Sequence, residues 1–207
     1  MTDRDLVRLY WPAVLRPAFD ALFAIDDALA DVVTSSTQPA LGAIRLAWWR
    51  EALERLDTNP PPSEPRLQAA AAELLSRGVT GAMLAELEDG WATLLDEQPD
   101  VGRIGKRGAK LFAIAAILLG AEDGRLDAAG RLYAYELVKR RQLAPVHYPT
   151  DELHSLAGHR FRRRLRPLTA LARLAARDVK QAPAIEPEAT PGRAAALLSH
   201  RLFGTVV

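Results

Sequence analysis

The chain has no cysteine. That excludes a disulfide framework, a thiolate zinc site and a cysteine nucleophile, and leaves the compartment open. Runs of valine, isoleucine and threonine are scarce, and no stretch alternates apolar and polar residues as a half-buried strand would. The longest apolar run, Leu111 to Leu119, falls well short of the ~20 residues needed to cross a bilayer. The opening MTDRD lacks the basic start and apolar core of a secretory signal. The expectation is a cytoplasmic protein that at most rests against a membrane. The four histidines, His147, His154, His159 and His200, stand at no metal-ligand spacing, and there is neither a P-loop nor a strand followed by G-x-G-x-x-G.

Alanine, leucine and arginine dominate instead, side chains that lose little rotamer freedom in a helix. With 207 residues, 49% hydrophobic and 26% charged, the chain is expected to form one all-α domain over 1–207. Prolines and glycines divide it into about eight helices. The first runs from Pro17 to about Val33 and the second opens at Pro39. TNPPPSEP is a loop. A third helix stops at Gly78, and a fourth starts after Thr80 and ends before Pro99. The fifth spans about Gly102 to Leu119 and the sixth about Arg125 to Leu143, followed by a loop at Pro145 and Pro149. Pro167 starts the seventh, and Thr190-Pro191 opens the last, which ends near Gly204.

Net charge is only +1, but it is unevenly spread. From His159 to Lys180 seven arginines and one lysine face one aspartate, a local +7 that leaves −6 for the remainder. Glu86, Glu88, Asp89, Asp96, Glu97 and Asp100 supply much of that deficit. These two stretches either pair with each other, solvate separate helices, or present a basic face to an anionic partner. Arg160, Arg162, Arg163, Arg164 and Arg166 are the candidate anionic-surface residues. Only Phe161 interleaves with them, which disfavours nucleic acid.

The first long helix carries Asp20, Asp26, Asp27 and Asp31. At 100° per residue, Leu22, Phe23, Leu29, Ala30 and Val33 share one apolar arc. Asp20, Asp27 and Asp31 fall on its flank, whereas Asp26 falls inside it. A buried carboxylate needs a partner, so Asp26 must meet an arginine, a tryptophan N–H or water. Arg45 on the second helix is the candidate to answer Asp26. Trp48 and Trp49 are expected to pack inward beside it. Gly102, Gly105 and Gly108 mark a loose helix entry, and Arg103, Lys106, Arg107 and Lys110 either solvate that end or hold a phosphate.

Four segments carry a resemblance: RDLVRLYWPAVLRPAFDALFAIDDALADVV, LGAIRLAWWREAL, RGAKLFAIAAILLG and PGRAAALLSHRLFG. Together they resemble the squalene/phytoene synthase family, and most closely the divergent branch that includes the mitochondrial complex I assembly factor with such a domain. The resemblance implies an isoprenoid-synthase-like helical bundle around a central cavity. Active members bind diphosphate through magnesium held by two aspartate-rich motifs and join two prenyl diphosphates head to head. Aligned on the family's first motif, Ala30 takes the place of the first metal aspartate, Asp31 the next and Thr34 the last. Where the second motif should lie, ELVKRRQLAPVHYP has no acid between Glu136 and Asp151, and Lys139, Arg140 and Arg141 stand there. Fixed positive charge repels magnesium, and without metal a diphosphate loses its main charge stabilisation as a leaving group. The chain is also shorter than catalytic members.

The preferred expectation is thus a binding or assembly protein with no catalytic residue, metal or cofactor, related to respiratory complex I. It would take a protein partner or an isoprenoid-like ligand in a cavity lined by Asp26, Ala30, Arg45, Trp48 and Tyr133. The rival is an active magnesium-dependent prenyltransferase using Asp27 and Asp31 as metal ligands. A third reading is an anionic membrane- or RNA-binding module acting through Arg160 to Arg166.

Overall fold

A computed structural model describes residues 1–145, 150–183 and 186–207. His147 and Pro149 lie outside the described residues. Eleven α-helices follow one another: α1 (Asp3–Arg8), α2 (Arg16–Ser35), α3 (Pro39–Arg55), α4 (Pro65–Glu73), α5 (Gly81–Ala85), α6 (Glu88–Ala92), α7 (Val101–Leu119), α8 (Leu126–Arg140), α9 (Thr150–Leu156), α10 (Arg166–Gln181) and α11 (Pro191–Phe203). Among the described residues there is no β-strand, only an isolated antiparallel bridge between Arg160 and Thr205. Nor is any helix among them long and apolar enough to cross a membrane.

The punctuation in the sequence does much of this. Prolines sit in the first turns of α2, α3, α4, α10 and α11, where a missing N–H leaves no bond unmade. Thr80, Asp100 and Thr190 accept hydrogen bonds from the orphan amides of α5, α7 and α11. Gly120 and Gly204 close α7 and α11 in the left-handed region that glycine enters without steric penalty.

The departures from expectation have local causes. The described residues form eleven helices rather than eight in part because α1 and α9 are six and seven residues long, too short to show a sequence period. The expected fourth helix is drawn as α5 and α6, although Glu86 and Leu87 between them keep right-handed helical backbone. The sixth helix stops at Arg140, not Leu143, because Gln142 turns to a φ of 55°.

The core is built around α2, which buries residues on almost all sides. A run of aromatic rings passes through it: Trp11 to Phe19 at 4.8 Å between centroids, Phe19 to Phe23 at 4.5 Å, Phe23 to Tyr133 at 6.5 Å, and Tyr133 to Phe112 at 5.7 Å. Tyr133 on α8 is thereby tied to α2 and α7. Helices α7 and α8 approach closely because of glycine. A Cβ on Gly108 would stand 2.1 Å from the Gly130 carbonyl oxygen, and one on Gly130 would stand 2.3 Å from that of Gly108. Gly105 makes room for the Tyr135 hydroxyl in the same way. These glycines are a packing seam rather than a loose helix entry.

On α3 the buried residues are Gly42, Leu46, Trp49, Ala52 and Leu53. That stripe is narrower than two adjacent tryptophans require. Trp49 is buried, whereas Trp48, 100° round the helix, stays 49% exposed and stacks edge-on against it.

Charged groups pair between neighbouring helices, so the acidic stretch does not meet the arginine-rich one. Asp89 and Asp96 bind Arg103 of α7, at 2.8 and 3.4 Å, and Glu86 pairs with Lys110. Far from them, Arg193 of α11 is buried and binds Asp3 of α1 and Asp178 of α10. Arg140 at the end of α8 reaches the same Asp178 at 2.9 Å.

Candidate functional site

The aspartates of α2 separate by helical position. Asp20 is exposed and binds Arg8 of α1 at 2.6 Å. Asp31 is exposed and meets Arg66 of α4 at 3.3 Å. Asp26 is fully buried. One of its carboxylate oxygens accepts from the Trp91 indole N–H at 2.8 Å and from the Arg107 guanidinium at 2.7 Å. Arg107 is itself buried, and its guanidinium lies 4.0 Å above the Trp91 ring, where the π face favours a cation. Asp26 therefore does meet both an arginine and a tryptophan N–H. The arginine is Arg107, not Arg45, which is exposed on α3 and bonds the Ser35 hydroxyl instead.

Arg107 reaches so far inward because α6 and α7 touch at Gly90. A Cβ there would stand 2.4 Å from that of Arg107 and 2.7 Å from the Arg103 carbonyl oxygen. The second oxygen of Asp26, and Nε and Nη2 of Arg107, find no hydrogen-bond partner among the described residues. The pair is thus held by one strong charge-assisted bond, an indole donor and a ring face.

Asp27 lies one residue round the helix and half-buried. Arg4 of α1 donates to both of its oxygens, and Arg141, just past α8, donates at 3.1 Å. Burial pushes the Asp27 carboxyl up, but the two guanidinia outweigh it and hold the carboxyl below its ordinary range. Arg4 also sits 4.7 Å over the Phe23 ring.

Beyond Asp27 opens a cavity of about 540 Å³. Arg4, Arg140, Arg141, Tyr133 and Glu136 line its polar side, and Leu171 and Leu174 of α10 line its apolar side. Burial raises the Tyr133 hydroxyl and the Glu136 carboxyl above their ordinary values, the latter despite Lys139 at 3.6 Å. Of the residues expected to line a cavity, only Tyr133 does so here. Asp26 and Ala30 are sealed in the core behind it, and Arg45 and Trp48 lie on the outside of α3. The physical reason is the inner face of α2, where Asp26 turns to the indole of Trp91 and the arginine of α7 rather than to this cavity.

Magnesium requires several oxygen ligands free to turn toward it. Asp26 is committed to Arg107, Asp27 to Arg4 and Arg141, and Asp31 points outward to Arg66. Among the described residues no group of three or more histidines, aspartates or glutamates is disposed to hold a metal ion. This donor set does not fit a diphosphate-bound magnesium.

Sequence reasoning missed Arg4, Trp91, Arg107 and Arg141 as the partners of these carboxylates. For Arg107 a signal was present. It falls between Ile104 and Leu111, inside the apolar stripe of α7, where an arginine must be answered by an acid.

The arginine-rich segment also divides. Arg160, Arg162, Arg163 and Arg164 are exposed. Arg166 is half-buried and donates to the carbonyls of Phe161, Arg201 and Leu202, at 3.0, 2.9 and 2.9 Å. It clamps the chain rather than facing solvent.

Residues 2–103 match the family model described as squalene/phytoene synthase. The match takes in α1 to α6 and the first residues of α7, hence Asp26, Asp27, Asp31 and Trp91. It does not extend to RGAKLFAIAAILLG or PGRAAALLSHRLFG, nor to Arg107 and Arg141. A comparison with curated proteins gave no match, and a comparison with solved structures gave none.

Proposed function

We propose that the protein is a squalene/phytoene-synthase-like bundle, of isoprenoid-synthase type, that acts by binding rather than by prenyl transfer. One observation carries this reading. The inner carboxylates of α2 are neutralised by protein cations, Arg107 at Asp26 and the Arg4–Arg141 pair at Asp27. A guanidinium opposite each acid supplies internally the positive charge that a metal would bring, and the fully buried Asp26–Arg107 pair is strongly disfavoured from opening. The cavity beside Asp27 then serves as a binding site. Its lining sets Arg4, Arg140, Arg141 and Tyr133 with the carboxylates of Asp27, Glu136 and Asp178 beside the apolar Leu171 and Leu174, which suits an amphiphile of isoprenoid type with a polar head. An assembly role, with a respiratory complex as the object, is the finer form of this reading and rests on the family branch the sequence resembles.

The test is turnover. Purified protein is incubated with farnesyl or geranylgeranyl diphosphate, magnesium and NADPH, and diphosphate release is followed. The expected result is release no faster than in the protein-free blank. Release that disappears in the Asp27→Ala, Asp31→Ala double variant would establish prenyl transfer and overturn the binding reading.

A further inference from the structure

A second face of the molecule carries a feature that the cavity does not explain. The C-terminal end of α11, the arginine-rich segment and the turn after α1 converge there. The Phe161 amide donates to the Gly204 carbonyl at 2.9 Å, and Arg160 bridges to Thr205. Arg166 binds the carbonyls of Arg201 and Leu202, and the Arg201 guanidinium stands 5.0 Å over the Tyr10 ring. Between these segments lies a groove of about 360 Å³. Leu15, Leu119 and Leu197 form its floor, and Arg163, Arg164 and Arg201 stand around it. No carboxylate lines it.

Arg162 and Arg163 make no ion pair with the described residues, and Arg164 has only a 3.5 Å contact to the Gly120 carbonyl. Arg162, Arg163, Arg164 and Arg201 thus form a cluster of cations with no ion pair among the described residues. Beside it three large apolar side chains face solvent: Leu9 is 60% exposed, Leu202 62% and Phe203 57%. Phosphate contact alone would account for the arginines but not for leucine and phenylalanine left in water. A face that combines exposed arginines with protruding Leu and Phe side chains is the composition of a membrane-interface surface. The cations meet anionic headgroups and the apolar tips enter the acyl boundary. Nucleic acid would call for stacked aromatics among the arginines, and within the segment only Phe161 is aromatic, and it is buried.

We propose that this face, Arg162 to Arg164 with Arg201, Leu9, Leu202 and Phe203, docks the protein onto an anionic lipid bilayer. It lies apart from the cavity beside Asp27, so the proposal stands or falls independently of the binding reading above.

Co-sedimentation with phosphatidylcholine vesicles, with and without phosphatidylglycerol, tests it. Binding should require the anionic lipid and weaken with added salt. Each arginine near such a surface strengthens binding about fivefold. The variant carrying Arg162→Glu, Arg163→Glu and Arg164→Glu should therefore lose at least about a hundredfold. All three side chains are exposed, so an unchanged circular dichroism melting curve is expected and separates lost binding from lost fold. A second variant, Phe203→Cys carrying an environment-sensitive fluorophore on what is then the chain's one cysteine, reads insertion directly: the label's emission should shift to the blue on anionic vesicles and be quenched by brominated acyl chains. Equal binding to neutral vesicles, binding untouched by the triple reversal, or label emission at Phe203→Cys that vesicles leave unaltered would each overturn the proposal.

Discussion

Asp26 is the residue on which the inside of the bundle turns. Helical periodicity places it among apolar neighbours, and solvation physics then requires a partner. Arg107 and Trp91 meet that requirement from two other helices. The asymmetry of buried ion pairs gives a prediction. Removing one member leaves the other charged and unanswered, which costs about 3–5 kcal/mol, while replacing both by groups of similar shape costs far less. Arg107→Met alone should lower stability in chemical denaturation by about that amount, and adding Asp26→Leu should restore much of it. Equal losses for the single and double variants would show that the arginine acts through packing, not charge. Asp26 was legible as an inward-facing acid because one helix carries that information. Arg107 was not legible as its partner, because 81 residues separate them and only the seating of α6 on α7 at Gly90 brings the guanidinium inward.

At the scale of elements, α7 and α8 are in close contact, and two facing glycines set it. The sequence shows a glycine every third residue from Gly102 to Gly108, yet a repeat on one helix does not reveal the glycine opposite on another. Gly108→Ala or Gly130→Ala would drive a methyl group into backbone, which cannot move aside as a flexible side chain would. Each should cost about 1–3 kcal/mol or more, by the ordinary penalty for overpacking. The control is Gly124→Ala, where a Cβ would meet nothing within 4 Å. Thermal melts of the three variants check this, and a Gly130→Ala protein as stable as Gly124→Ala would refute the seam. Helix termini were read more successfully than helix contacts. Thr80, Thr190, Gly78 and Gly204 act on amides and carbonyls within a few residues of themselves, so local sequence suffices.

For the whole molecule, His200 gives stability a pH dependence. It is buried on α11, with Nδ1 against the Thr205 carbonyl at 2.8 Å and Nε2 against the Thr169 hydroxyl at 2.9 Å. Burial, opposed by the Thr205 carbonyl and reinforced by Arg173 and Arg166, pulls its pKa down to about 4. The unfolded chain binds a proton near the ordinary histidine value, and the folded protein does not until the pH approaches 4. Stability should therefore be whole above about pH 6.5 and fall as the pH drops toward 4, by at most about 3 kcal/mol from this group. Denaturation midpoints across that window should decline in the natural protein and flatten in His200→Gln. A decline of the same size in both would assign it elsewhere.

The all-helical class, the helix ends and the inward turn of Asp26 were determined by the sequence itself, because each rests on interactions within a few turns of one chain segment. The identity of the cations that neutralise Asp26 and Asp27, the place of the cavity beside rather than behind α2, and the meeting of α11 with the arginine-rich segment were decided only by the tertiary structure. These depend on how helices far apart in sequence are seated. The seating is set by the fit of small residues and rings across interfaces, which no single segment encodes.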